Sequence, residues 1–172
     1  ANKLNIPVRH PISFKDDIEI KHIKTLNPDI IIVVAYGKIL PEALLKIEKV
    51  LFINIHASLL PKWRGAAPIQ RAIMNMDRES GVSIMKIVPK LDSGPVLLQS
   101  KIKIFEDTTY KELAEKMSKL GGKLILDAIK LIEDKKDIFV EQNESEVSYA
   151  KKIEKSECKI NWNKNANEVI AK

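Results

Sequence analysis

The sequence predicts an α/β fold with a mainly parallel sheet. Residues 29–35 form a continuous β-branched run, the pattern of a strand covered on both faces. Two strand-like runs flank a helix-like segment, and the arrangement occurs twice along the chain. A long amphipathic segment opens on Thr109 with Glu112 three residues later, a capping box.

In order along the chain, Ser13 with Asp16 reads as a helix cap. Ile18, Ile20, Ile23 and Leu26 supply an apolar face up to Asn27-Pro28, where proline ends the helix. The first strand is residues 29–35, and Tyr36-Gly37 turns the chain. Pro41 opens a short helix through Lys49, and residues 50–56 form the second strand. A stiff Pro/Gly-containing loop spans residues 58–65. A helix then runs from Pro68 to about Met76. Residues 82–88 and 96–104 read as strands joined through Asp92-Ser93-Gly94-Pro95. The capped helix reaches about Ile132, and Gly121-Gly122 marks either a kink or close packing. The tail from Glu133 is polar, and residues 165–172 read as the start of a further helix.

The 172 residues suit one domain, and 45% hydrophobic with 30% charged content is a globular profile. No apolar stretch approaches the ~20 residues of a membrane helix. Cys158 stands alone, which excludes an internal disulfide, fits a reducing compartment and leaves no metal cluster. The net charge of +6 fits a solvated lysine-rich surface or a phosphate-rich partner. The arginines are Arg9, Arg64, Arg71 and Arg78, three of them in one short stretch. If that stretch is helical, Arg71 and Arg78 share a face. No signal peptide is visible at Ala1.

Asn54 and His56 are two residues apart on a strand, so they project to one face near its C-terminal end. Ligands bind at that edge of open α/β sheets. An amide donates to a developing oxyanion, and an imidazole donates or shuttles a proton. The same pair also fits a polar strand end that merely caps a loop. Asp92 sits in a turn where aspartate is common for local reasons. Beside an imidazole it would fix the ring's tautomer, but spacing does not bring it to His56. Trp63 is either a stacking surface for a flat ring or part of the core. Together with Arg64 it precedes a helix N-terminus, which offers N–H groups to anions.

Residues 54–70 read Asn-Ile-His-Ala-Ser-Leu-Leu-Pro-Lys-Trp-Arg-Gly-Ala-Ala-Pro-Ile-Gln. This block resembles the signature of the methionyl-tRNA formyltransferase family, within the folate-dependent formyltransferases. Residues 32–41 and 91–95 resemble two further blocks, and residues 148–153 and 160–162 resemble the family's run out of its catalytic domain. The resemblance implies a Rossmann-like formyltransferase fold that transfers a formyl group from 10-formyltetrahydrofolate to the amino group of initiator methionyl-tRNA in translation initiation. Asn54, His56 and Asp92 are then the catalytic residues. Asn54 and His56 stabilise the oxyanion, while Asp92 orients His56 and helps move the proton. Tyr36, Gly37, Lys38, Ile39, Leu40, Ser58, Leu59, Leu60 and Pro61 line the folate site. Trp63, Arg64 and Arg71 face the acceptor. No metal is implied. The expected state is a monomer off the membrane, in the bacterial cytoplasm, with an organellar address left open.

The family begins with a glycine-containing strand, a loop and a basic insertion, and ends in a tRNA-holding barrel. By the resemblance this chain lacks them, so it is expected to be a poor enzyme with an open apolar sheet edge. Residues 1–160 are expected to be a partial catalytic domain and residues 161–172 the start of a linker. Asn161 stands where the family often has Asp. Two alternatives are a formyltransferase for a small amine, such as glycinamide ribonucleotide or an amino sugar, and a non-catalytic folate-binding module. The stretch Arg64 to Gln70 argues against the first, and the intact Asn54, His56 and Asp92 argue against the second.

Overall fold

The computed structural model describes residues 1–14, 17–37 and 40–172. The described elements are helix α1 (Asp17–Leu26), strand β1 (Ile30–Val34), helix α2 (Glu42–Leu45), strand β2 (Leu51–His56), strand β3 (Arg64–Gly65) and helix α3 (Pro68–Met74). Strands β4 (Glu79–Lys86) and β5 (Val96–Lys103) follow, then helix α4 (Tyr110–Glu133), strand β6 (Tyr149–Ala150) and helix α5 (Ala166–Ile170).

The main sheet has the order β1-β2-β4-β5. β1 and β2 pair in parallel, whereas β4 runs antiparallel to both β2 and β5. Three of the four strands therefore point one way, and β4 opposes them. The turn from Ile87 to Pro95 is too short for the crossover that a parallel β4–β5 pair would need. β3 and β6 form a separate parallel pair that ties the loop after β2 to the tail. Little in the sequence marks β6, a two-residue strand in a polar stretch.

Side-chain alternation on β2 divides the core. Ile53 and Ile55 belong to the layer under α4, together with Val82, Ile84, Leu113, Met117, Leu124 and Ala128. Phe52 faces the other way, into the cluster of Ile20 and Leu44 with Leu40 and Ile87. Asn54 and His56 alternate with Ile53 and Ile55, so they share the Phe52 face.

Several boundaries and faces differ from expectation. Asp16 lies outside the described residues. Of the expected α1 face, Ile20 is buried and Ile23 packs beside it, but Ile18 and Leu26 are exposed. Asn27 takes φ 46° and closes that helix. α3 ends at Met74, so Arg78 is not on a helical face with Arg71. β4 starts at Glu79 instead of residue 82, because Gly81 serves as a strand residue. A Cβ there would lie 2.1 Å from the Ser100 carbonyl oxygen. α4 runs unbroken through Gly121, where an added Cβ would lie 3.0 Å from the Ile55 side chain. Close packing, rather than a kink, explains that glycine. The Thr109–Glu112 capping box is present.

Candidate active site

β2 delivers His56 to the end of the sheet with its side chain buried, 5% exposed. The His56 ring Nε2 lies 2.9 Å from the Trp63 carbonyl oxygen. A carbonyl only accepts, so Nε2 carries the proton in the neutral ring. Nδ1 is left as the nitrogen that takes up or releases a proton. It faces the Asp92 carboxylate, with Oδ2 3.8 Å away. The sequence separation of these two residues is closed by the turn between β4 and β5. The tautomer is thus set by the Trp63 carbonyl, a task that the sequence reading would give to a carboxylate beside the ring. Asn54, half-buried on the same face of β2, makes no side-chain hydrogen bond among the described residues.

Asp92 is not a local turn device. Its Oδ2 accepts from the backbone N–H of Gly65 at 2.8 Å, across 27 residues of sequence. The turn itself is closed by Ser93, whose hydroxyl donates to the Lys90 carbonyl at 3.1 Å. Asp92, Trp63 and Gly65 have φ of 43°, 62° and 123°, so the backbone at this site lies in the left-handed half of conformational space. Such conformations persist where surrounding contacts fix them. Here the Trp63 N–H donates to Ser148 Oγ at 3.0 Å, and the Arg64 N–H donates to the Ser148 carbonyl at 2.9 Å.

Residues 58–61 are held from beneath by Ser83. The Ser83 hydroxyl donates to the Ser58 carbonyl at 2.6 Å and accepts from the Leu60 N–H at 3.1 Å. Gln99 Nε2 donates to both the Leu60 carbonyl, at 2.8 Å, and Ser83 Oγ, at 2.9 Å. Ser58 and Leu60 are buried, while Leu59 and Pro61 are half-buried. Tyr36 stacks at a tilt on Phe14, with ring centroids 5.9 Å apart, and Leu40 packs into the second core cluster. Gly37 is exposed with φ 68°, and Lys38 and Ile39 lie outside the described residues.

Of the three side chains expected to face the acceptor, Arg64 is buried, and Trp63 and Arg71 are half-buried and bonded to other segments of the chain. Arg64 is 0% exposed. Its Nε donates to Gln142 Oε1 at 3.0 Å and its Nη2 to Glu144 Oε1 at 2.9 Å. The Arg64 guanidinium, and after it the Lys90 ammonium, hold the Glu144 carboxyl below the usual carboxylate range. Arg71 makes a two-pronged bond to Glu157, at 2.6 and 3.0 Å, and donates to the Lys151 and Lys152 carbonyls. The indole N–H of Trp63 donates to Asp77 Oδ2 at 2.7 Å, with its ring against the core. Sequence reasoning missed Ser83, Gln99, Gln142 and Ser148. They are ordinary polar residues whose value appears only when distant segments meet.

Among the described residues no three His, Cys, Asp or Glu side chains gather to hold a metal ion. No helix among them is long and apolar enough to cross a membrane.

A family model described as formyl transferase matches residues 9–129. A protein named methionyl-tRNA formyltransferase, from Pelagibacter ubique strain HTCC1062, is 48% identical over all of this chain, which covers 56% of that relative. The chain thus spans about half the length of the curated relatives it matches. Among solved structures, an N-formyltransferase from Helicobacter canadensis in complex with folinic acid and dTDP-3-aminofucose is 26% identical. It superposes with a TM-score of 0.69 over 79% of this chain and 50% of its own. HypX from Aquifex aeolicus in complex with tetrahydrofolic acid shares the fold, with a TM-score of 0.78 at 19% identity over 90% of this chain and 27% of its own. On this family match, which spans well over half of its residues, the chain belongs to the formyl transferase family.

Proposed function

We propose that this chain carries the centre for formyl transfer from 10-formyltetrahydrofolate to the amino group of initiator methionyl-tRNA, in translation initiation. Residues 1–160 form the catalytic unit, and residues 161–172 begin a connection away from it. The protein acts as a monomer in the cytoplasm. One observation carries the reading. His56 is pinned at Nε2, which leaves Nδ1 beside Asp92 and on the strand face of an Asn54 amide that makes no side-chain hydrogen bond among the described residues.

That donor set fits an acyl-type transfer. The folate supplies the formyl group. Asn54 and a protonated His56 Nδ1 donate to the formyl oxygen as negative charge builds on it. The acceptor amine forms a bond to the formyl carbon, and the bond from that carbon to the folate nitrogen breaks. Asp92 takes the proton that the amine loses, and an equivalent proton goes to the departing nitrogen. Residues 36, 37 and 40 and residues 58–61 supply the flat pocket through their backbone groups. Names shared by relatives more than 40% identical support methionyl-tRNA as the acceptor.

Incubation with 10-formyltetrahydrofolate and methionyl-tRNA, followed by chromatography of the released amino acid, tests the proposal. We expect N-formylmethionine, with the rate reduced by about 100-fold or more in His56→Ala and Asp92→Ala. Faster transfer to glycinamide ribonucleotide or to a nucleotide-linked amino sugar would overturn the acceptor assignment. Rates unchanged in both variants would overturn the site.

A further inference from the structure

We infer that Gln142 is a positioning residue for Asp92, acting through a clamp completed by the buried Arg64; this rests on the formyl-transfer reading above. Gln142 Nε2 donates to the Asp92 carbonyl at 2.9 Å and to the Gly94 carbonyl at 2.7 Å. Its Oε1 accepts from Arg64 Nε at 3.0 Å. The orientation of the amide is forced, because guanidinium only donates and carbonyls only accept. Arg64 is followed by Gly65, whose N–H binds the Asp92 carboxylate at 2.8 Å. A closed ring results. Asp92 is held at its backbone by Gln142 and at its side chain by Gly65, and Arg64 joins the two holders.

Two features show what the clamp holds. Asp92 sits at φ 43°, left-handed backbone that aspartate tolerates better than most side-chain-bearing residues, and Gln142 bonds its carbonyl in that conformation. Gly94 is so close to the end of β4 that an added Cβ would lie 1.9 Å from the Lys86 carbonyl oxygen. The turn therefore enters in one path, and Gln142 bridges it at both ends. Among the described residues the buried Arg64 Nη1 has no hydrogen-bond partner. An unmet buried donor carries a cost that an apolar side chain of similar size avoids. The fork geometry is what reaches Gln142 and Glu144 together.

Gln142→Glu separates the two halves of the clamp. A carboxylate at that position still accepts from Arg64 and donates nothing to the turn. Gln142→Leu removes both halves. The readouts are the amide proton resonance of Gly65, which a carboxylate acceptor draws downfield, and the separation of kcat from KM. We expect the Gly65 resonance to move upfield in Gln142→Glu, toward its position in Asp92→Asn. We expect kcat to fall by about 10- to 100-fold with KM for the folate unchanged. A Gly65 resonance unmoved in Gln142→Glu, or kcat unchanged, overturns the inference. If Gln142→Leu fails to fold, Gln142→Glu decides. The wild-type chain gives a third reading. Its Gln142 side-chain amide protons should exchange slowly with solvent, and rapid exchange overturns the clamp. If the wild type formylates no amine, the functional reading fails, while the Gly65 and Gln142 resonances still judge the clamp.

Discussion

At the scale of single residues, Gly65 is where backbone and chemistry meet. Its φ of 123° is closed to side-chain-bearing residues, and an added Cβ would lie 2.8 Å from the Ala150 carbonyl oxygen. Gly65→Ala should therefore cost about 2 kcal/mol or more, read as a lower urea midpoint at unchanged slope. An unchanged midpoint would mean that the loop relaxes freely. The sequence makes Asn54 and His56 legible, because a strand pleat puts alternate residues on one face whatever surrounds them. It does not make Arg64 legible. An arginine in a loop reads as solvent-facing, and this one is buried only because Gln142 and Glu144, 78 and 80 residues away, fold over it. Asp92 lies between these cases. Its residue type fits a turn, but its carboxylate reaches Gly65 rather than its own neighbours.

At the scale of elements, local signals are read best where local interactions decide. The cap of α4 is an example, and Thr109→Ala should destabilise the fold by about 1 kcal/mol in denaturant titration. α4 is packed through Gly121, so Gly121→Val should cost more than the cap loss, the branched side chain meeting Ile55 directly. The reverse order would show that α4 sits loosely on the sheet. The tail depends on a non-local pair. Arg71 holds the Glu157 carboxyl at about 2, below the ordinary glutamate value of about 4.3. The depressed group contributes fully above its unfolded value and loses that contribution as pH falls toward 2. Backbone resonances of residues 151–158 should hold steady from pH 7 to about 4.3 and shift only below it. Release of the segment above that window would show that another contact anchors the tail. The pair was illegible in the sequence, since nothing near Arg71 points to Glu157.

At the scale of the whole molecule, the main sheet ends in β1 on one flank and in β5 on the other, where a single bridge, Val96 to Val140, lies beyond β5. Among the described residues β1 is paired only on its β2 side, and Ile32 and Val34, on the face away from Phe52, are 41% and 57% exposed. An unpaired apolar edge strand invites pairing with another chain. The isolated 172-residue chain should therefore self-associate with rising concentration in sedimentation velocity, and Val34→Lys should suppress it. A concentration-independent sedimentation coefficient would show the edge to be inert. The order of strands was legible in part. Alternating strand and helix signals implied a mainly parallel sheet, and the reversal of β4 follows from connection lengths more than from composition.

The two tryptophans divide the molecule optically. Trp63 is half-buried with its indole N–H on Asp77, whereas Trp162 is 77% exposed. Replacing Trp162 with Phe leaves a single indole, on the residue whose own carbonyl holds the His56 ring. Its emission should be blue-shifted and resistant to iodide, so light from one residue reports on the state of the loop after β2 without any label.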